Sequence, residues 1–404
     1  MSLNESILES YQPIKDELLL IRRHIHAHSE LGWHETETTS YTLDILRSDG
    51  VKARRLESTG VIADFEVEGA KEVVALYADI DALPIAETSR VAWSSENAGV
   101  AHACGHDFHA AAVLGVGLIL VRSSQLLEKL CGRSSVRLVF QPTEELNPSG
   151  SPVVIQQGGL DDVSRIYAPH VEPKLDVGKI GVAPDPVTSA ANLAEVRVRG
   201  ASGHTSRLHL TVDVVYLLSS PATTIPLVFC RVFDPRNVVG ISWGSIRADS
   251  AYNAISKEGV LLGTVRTTNL EAWKEVEGVI KELINSIVQP LVRNKNAEVE
   301  VNYTRGVPPV INDIDETKRV ENAVVSILGQ DALFRTERSL GSEDFSWYLQ
   351  HTQPNGQKIV GAMSRLGVRV PKTPPNNIHQ SNLVIDEKCL DYGVTFLTRL
   401  LYEQ

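Results

Sequence analysis

Between residues 101 and 111 the chain reads AHACGHDFHAA, which brings His102, Cys104, His106, Asp107 and His109 together in one short run. The whole chain has only 12 His and 4 Cys, so this density asks for a chemical reason. Thiolate, imidazole and carboxylate are the donors favoured by Zn²⁺ and neighbouring transition ions. Metal binding is the chemistry suggested, provided that other residues supply partners. Asp79 and Asp81 follow the apolar run VVALY, Glu144 and Glu145 follow VRLVF, and His170 follows RIYA. In open α/β sheets ligands gather outside the carboxyl ends of strands. These residues would then meet Cys104, His106 and His109 on one rim. Each has a plainer account alone: a hydrogen-bonded loop histidine, a solvated acidic pair, or, for Asp81, a helix cap. Together they fit a catalytic metal site, which needs a general base that is not itself a ligand. Adjacent glutamates can provide one of each.

The elements that must position these residues can be read from hydropathy patterning. Ile14, Leu18, Ile21 and Ile25 recur at helical spacing and predict a first helix over residues 4–28. A second is expected over 35–49, ended by Gly50. GVIADFEV, EVVALYADID, SVRLVFQ and RIYAPH read as strands, the second apolar enough to be buried on both faces. A long apolar helix is expected from His109 to Ser123. Near residue 190 the pattern changes. NLAEVRVRG alternates apolar and polar, as a sheet with one wet face does, and VVGISWGSI and GVLLGTVRT continue it. EAWKEVEGVIKELINSIVQPLV is an amphipathic helix. The expected fold is α/β, with a mixed, mostly parallel sheet flanked by helices and interrupted by a smaller α+β domain. The catalytic domain takes residues 1–188 and 302–404, and the insert takes 189–301.

Composition narrows the function. At 404 residues two domains are expected. Charged residues make up 22% and hydrophobic ones 43%, an ordinary globular balance. A net charge of −11 argues against a nucleic-acid partner. The N-terminal residues MSLNESILES lack the basic-then-apolar pattern of a signal peptide. No apolar run reaches the roughly 18 residues of a membrane span. Cys104, Cys131, Cys230 and Cys389 form no CxxC pair, which suits a reduced, cytoplasmic protein.

Ten landmarks follow in order along almost the whole chain: RRHIHAHSELGWHETET, DIDALPIAE, HACGHDFH, FQPTEE, APHVEP, GASGHTSRLH, YNAI, GTVRT, GSEDF and IHQ. On these the sequence resembles the N-acyl-amino-acid amidohydrolases. That group holds hippurate hydrolase, bacterial aminoacylases and the plant hydrolases of indoleacetyl-amino-acid conjugates, within the superfamily of zinc carboxypeptidases and desuccinylases. The resemblance implies one or two divalent ions, Zn²⁺ or Mn²⁺, held by Cys104, His106, Glu145, His170 and His379. It implies Glu144 as the base that takes a proton from metal-activated water, and His204 as a donor to the oxyanion. Asn253 and Arg266 would bind substrate, with Arg266 on the α-carboxylate, a task suited to guanidinium. Asp81 would steady the metal site from behind, with His109 and Asp107 also supporting rather than ligating. The insert would be a lid through which a homodimer forms. The implied reaction splits an N-acyl amino acid into a carboxylic acid and a free amino acid.

Several residues depart from the family pattern. Ser29, Ser256, Leu208 and Val214 stand where prolines are common, and LNPSGSP replaces a glycine-rich loop after the glutamates. Pro221 and Pro226 fall inside the first helix of the insert, where either would break it. No proposed ligand is lost. The competing activities are a dipeptidase or metallocarboxypeptidase of the same superfamily and a non-catalytic metal-binding or ligand-binding homologue. Intact Glu144 and Glu145 argue against the last.

Overall fold

The computed structural model describes residues 1–292, 295–371, 373–374 and 376–403. Its contacts divide the chain into two units: Met1–Asp185, Ile311–Glu337 and Trp347–Gln404 form the first, Pro186–Val310 and Arg338–Ser346 the second.

The first unit begins with helices α1 (Leu3–Tyr11), α2 (Lys15–Ala27) and α3 (Thr36–Ser48). The single helix expected over 4–28 is divided by a 3₁₀ turn, Gln12–Ile14. Pro13 lies in that turn, and its missing N–H interrupts the α-helical ladder. Strands β1 (Lys52–Arg55), β2 (Val61–Phe65) and β3 (Glu72–Asp79) follow, then α4 (His106–Arg122), β4 (Ser134–Gln141), β5 (Val163–Asp176) and β6 (Ile180–Val182). Helix α4 starts at His106, three residues before the expected His109. Within it, residues 106–120 are all buried. Gly115 allows this close packing: a Cβ there would meet Leu18 Cδ2 at 2.7 Å and Val394 Cγ2 at 2.9 Å.

The second unit contributes β7 (Ala190–Gly200), α5 (Val214–Val232), β8 (Gly240–Arg247), β9 (Glu258–Thr267), α6 (Leu270–Val288) and β10 (Ala297–Thr304). The chain then returns through α7 (Ile314–Leu328), β11 (Leu333–Arg335), β12 (Val360–Arg369) and α8 (Cys389–Leu400).

The first unit's sheet has eight strands in the order β1-β2-β4-β3-β5-β12-β6-β11. Its centre is parallel, with β4, β3, β5 and β12 pairing in one direction, while β1–β2, β2–β4 and β12–β6 are antiparallel. Residues 74–79 of β3 are all buried, as the continuous apolar run requires of a strand covered on both faces. The second unit's sheet, β8-β9-β7-β10, is antiparallel throughout. Alternation along β7 turns Val196 and Val198 inward against Leu218, Ile225 and Phe229 of α5 and Val276, Ile280 and Ile284 of α6. Burying one such side chain stabilises by about 1.5–3 kcal/mol.

Helix α5 corrects the sequence reading. It runs unbroken from Val214 to Val232 with Pro221 and Pro226 inside it. The prolines leave the Leu217 and Ala222 carbonyls without their usual amide donors. Hydroxyls support the surrounding turns: Ser219 Oγ donates to Val215 O at 2.7 Å, Ser220 Oγ to Tyr216 O at 2.9 Å, and Thr223 Oγ1 to Ser219 O at 3.0 Å. Burial of Val214, Leu217, Leu218, Pro221, Ile225 and Phe229 holds the helix to its sheet, and tertiary packing outweighs propensity. This helix is also long and apolar enough by composition to cross a membrane, which the search for uninterrupted apolar runs passed over. Its buried stripe is that of an amphipathic core helix.

Pro226 is the less buried of the two prolines. Replacing it with Ala restores an amide donor and removes a steric conflict. Pro226→Ala should stabilise the second unit by about 1–2 kcal/mol after the gain in unfolded-chain entropy is subtracted. A denaturant midpoint that falls instead would show that the ring's own packing outweighs the backbone gain.

Candidate metal centre

In the first unit, the turn into α4, the chain after β4, the middle of β5 and the turn at His379 bring five donor residues near one another. Cys104 Sγ lies 3.7 Å from His170 Nε2. Glu145 Oε1 lies 3.0 Å from His379 Nε2 and 3.9 Å from His106 Nε2. Donor atoms of Cys104, Glu145 and His379 fall within 4.8 Å of one another, as do those of His106, Glu144 and Glu145.

The ring orientations follow from hydrogen bonds behind the donors. His106 Nδ1 lies 2.9 Å from Asp81 O and 3.1 Å from Asp81 Oδ1, which directs Nε2 the other way. The same Asp81 carboxylate accepts the Glu144 amide at 3.0 Å and the Glu145 amide at 3.1 Å. His170 Nδ1 donates to Val171 O at 2.8 Å and so presents Nε2 toward Cys104. His109 uses both nitrogens elsewhere. Nδ1 donates to Asp79 Oδ1 at 2.6 Å, and Nε2 accepts the Val171 amide at 2.9 Å.

Sequence reading placed His170 at the end of a short strand. It sits instead within the long β5, opposite Arg365 of β12. The RIYAPH pattern had no polar interruption sharp enough to show how far the strand continues.

Left-handed backbone occurs at the donor His379 (φ +62°) and beside the other donors at Gly105 (φ +82°) and Thr143 (φ +55°). Such conformations cost of order 1–3 kcal/mol at non-glycine positions. Each is held by its surroundings. The His379 amide donates to Ala103 O at 2.7 Å. Thr143 is clamped by Glu35, whose Oε1 accepts the Thr143 amide at 2.8 Å and its hydroxyl at 3.0 Å. Burial raises the Glu35 carboxyl above its usual range. Sequence reasoning passed over Glu35, treating it only as a helix start. Asp79 was likewise read only as a strand-end acid, yet its Oδ2 lies 3.4 Å from His106 Nε2.

Burial pushes the Cys104 thiol well above its usual pKa. Burial opposes charge on His106, but Asp79 and Cys104 override it and raise the imidazole. Burial lowers His170, and Arg365 adds to the effect. Among the described residues, Asp79 Oδ2 and His106 Nε2 are buried, 3.4 Å apart, and make no well-formed hydrogen bond, while Glu145 Oε1 has its 3.0 Å contact with His379 Nε2. Orphaned buried polar atoms are costly. A divalent ion would meet their requirements, so these residues fit a metal.

The remaining sequence candidates lie in the second unit. His204 and Ala254 pair across a two-stranded ribbon, and the Thr205 amide donates to Asn253 O at 3.1 Å, so His204 and Asn253 are neighbours. Both are exposed. His204 Nδ1 accepts the Ser206 amide at 3.1 Å, leaving Nε2 outward. Arg266 stands on β9 and donates to Leu340 O at 2.5 Å. It lines a cavity of about 270 Å³ whose walls include Phe229, Phe233, Ser242, Thr264 and Leu340.

Comparison with known proteins bears on this centre. The pattern of peptidase family M20/M25/M40 matches residues 75–403. The chain is 32% identical over 339 residues to the N-acetyl-L-cysteine deacetylase of Bacillus subtilis (strain 168), covering 84% of this chain and 79% of the relative. It is 32% identical over 309 residues to the N-acyl-L-amino acid amidohydrolase of Geobacillus stearothermophilus, covering 76% and 81%. A Rhodococcus jostii (strain RHA1) protein bearing a glutamate–cysteine ligase name is 37% identical over 393 residues, and the chain spans 47% of that longer relative. Among solved structures, a Bacillus subtilis dinuclear metal-binding peptidase superposes with a TM-score of 0.80 at 27% identity, covering 96% of this chain and 98% of the other.

Gly105 separates Cys104 from His106, and a Cβ at Gly105 would meet Val171 Cγ2 at 2.5 Å. Gly105→Ala should therefore destabilise the first unit by about 1–3 kcal/mol, combining overpacking with φ strain. It should also weaken metal retention in dialysis against a chelator. Unchanged stability together with unchanged retention would show that this turn does not set the donor geometry.

Proposed function

We propose that this chain, which belongs to peptidase family M20/M25/M40, is a metal-dependent amidohydrolase that releases a carboxylic acid and a free amino acid from N-acyl amino acids. The observation that carries the reading is the Asp81 clamp, which holds the Glu144–Glu145 pair beside the Cys104, His106 and His379 donors. The two most relevant relatives are named for N-acyl or N-acetyl amino acids.

Cys104, His106, Glu145, His170 and His379 would hold Zn²⁺ or Mn²⁺. Glu145 and His106 recur in overlapping donor groups, which supports one or two ions. When bound, such an ion polarises the acyl oxygen and lowers the pKa of water to about 7. Glu144 takes the proton of the attacking water and delivers it to the departing amine. Asp81 positions both glutamates and His106. In the second unit, His204 is assigned the oxyanion donor and Asn253 a substrate contact. Arg266 forks onto the α-carboxylate, with the apolar walls of its cavity beside it.

The segment 189–301 is assigned the lid and homodimer contact. Val215, Tyr216, Leu227 and Val232 of α5 are exposed apolar residues suited to the latter. The four free cysteines fit a reducing cytoplasm.

Two measurements test the reading. Protein loaded with Zn²⁺ or Mn²⁺ should release amino acid from N-acetyl, N-benzoyl or longer N-acyl substrates faster than from dipeptides. Preference for dipeptides would move the assignment to a peptidase. Glu144→Ala should retain metal by elemental analysis while kcat falls by about 100-fold or more. Near-normal turnover in that variant would remove Glu144 as the base.

A further inference from the structure

A second group of metal-type donors lies outside the centre described above, between α2 and α3 of the first unit. His24 is in the last turn of α2 and His28 is its C-cap four residues on, so the two stand near each other at the helix end, their ring centroids 4.1 Å apart. Glu37 stands in the first turn of α3. Glu37 Oε1 is 3.7 Å from His28 Nε2 and 3.9 Å from His24 Nε2. One donor atom from each residue lies within 4.8 Å of the other two. Donors held about 2.0–2.1 Å from a tetrahedral ion sit roughly 3.3 Å apart, so the two Glu37 sides of this triangle need contract by only about half an ångström.

Three features prepare the donors. His28 Nδ1 donates to the His24 carbonyl at 2.8 Å, which fixes the tautomer and leaves Nε2 with its lone pair toward Glu37. The His24 ring is held between the rings of His28 and Tyr41, at centroid distances of 4.1 and 4.0 Å. The first turn of α3 is pinned by Glu30, whose carboxylate accepts the amides of Thr36, Glu37 and Thr38 at 2.9–3.0 Å. The Glu37 carboxylate takes no part in that pinning. All three side chains retain solvent access, with 34%, 31% and 54% of the His24, His28 and Glu37 side chains exposed. An ion can enter from water, and water can complete its coordination.

We propose that His24, His28 and Glu37 form a second, superficial site for a borderline divalent ion of the Zn²⁺ class, which ties α2 to α3. Two imidazoles and one carboxylate select Zn²⁺ and its transition-metal neighbours over Mg²⁺ or Ca²⁺, which take oxygen donors.

The test counts ions and does not depend on catalysis. Full-length protein is equilibrated with buffered Zn²⁺ and its bound metal measured by elemental analysis. His24→Ala/His28→Ala, with a circular-dichroism spectrum matching wild type, should hold one Zn²⁺ fewer per chain. Glu37→Gln should weaken that one equivalent roughly tenfold or more, since even outer-shell losses cost 10–100-fold. Cys104→Ala/His106→Ala, disabled at the other centre, should still take up one Zn²⁺, and Mg²⁺ should not replace it. Equal zinc counts in wild type and His24→Ala/His28→Ala would overturn the proposal. So would a Cys104→Ala/His106→Ala protein that is folded yet binds no zinc.

Discussion

The carboxylate of Asp81 is the constraint on which the centre depends. It accepts two successive backbone amides, those of Glu144 and Glu145, and faces His106 Nδ1. A carboxylate with two oxygens can satisfy several donors at once. Here it joins the chain leaving β3, the chain leaving β4 and the start of α4. The two glutamate side chains can then differ in role although they are adjacent, because their backbone is fixed before either meets a ligand. An alanine at position 81 would leave two amides to find other partners, while His106 Nδ1 would keep the backbone carbonyl at 2.9 Å, and each unsatisfied buried group costs about 1–3 kcal/mol.

Behind this clamp lies a second layer of charge. Asp107, immediately after His106, is fully buried. Arg22 Nε lies 2.7 Å and His26 Nδ1 2.9 Å from its Oδ2. Burial opposes its charge, but Arg22 and His26 hold the carboxyl well below the usual range. Arg22 also reaches Glu387 at 3.2 Å and stacks 4.3 Å above the Phe108 ring. His26 continues to Glu87 at 3.2 Å. Buried ion pairs contribute little net stability beside apolar replacements, yet losing one partner is costly. What this network supplies is orientation: it locks the first turn of α4 against α2 and against the turn before α8.

Much of this was legible in the sequence because the informative residues were short-range signals at the ends of apolar runs. Asp81, Glu144 and Glu145 each follow a run that folds as a central strand, and Cys104 and His106 occupy one short turn. The buried central strands of the first unit and the alternating strands of the second followed from periodicity. What escaped were features decided by distant partners. Glu35 looks like any polar residue in HETET until Thr143 arrives from 108 residues away. The continuity of α5 depends on packing against β7 and β9, which no local propensity reports. The break in the first helix was a local signal, Pro13, outweighed in the reading by an uninterrupted apolar stripe.

The distribution of satisfied and unsatisfied groups in the first unit has a thermodynamic meaning. The residues behind the donors are well paired: Asp81, Glu35 and His109 each spend their hydrogen-bonding capacity on fixed partners. The poorly satisfied atoms of Asp79 and His106 fall on the donor side. Left-handed backbone at Thr143 and His379 adds strain at the same place. Burial raises the Cys104 thiol, and Asp79 and Cys104, against burial, raise the His106 imidazole, so both atoms hold protons firmly. A metal ion must displace those protons to bind. Affinity for metal therefore opposes affinity for protons at the same atoms, and the well-paired second layer keeps the donors in position during the exchange.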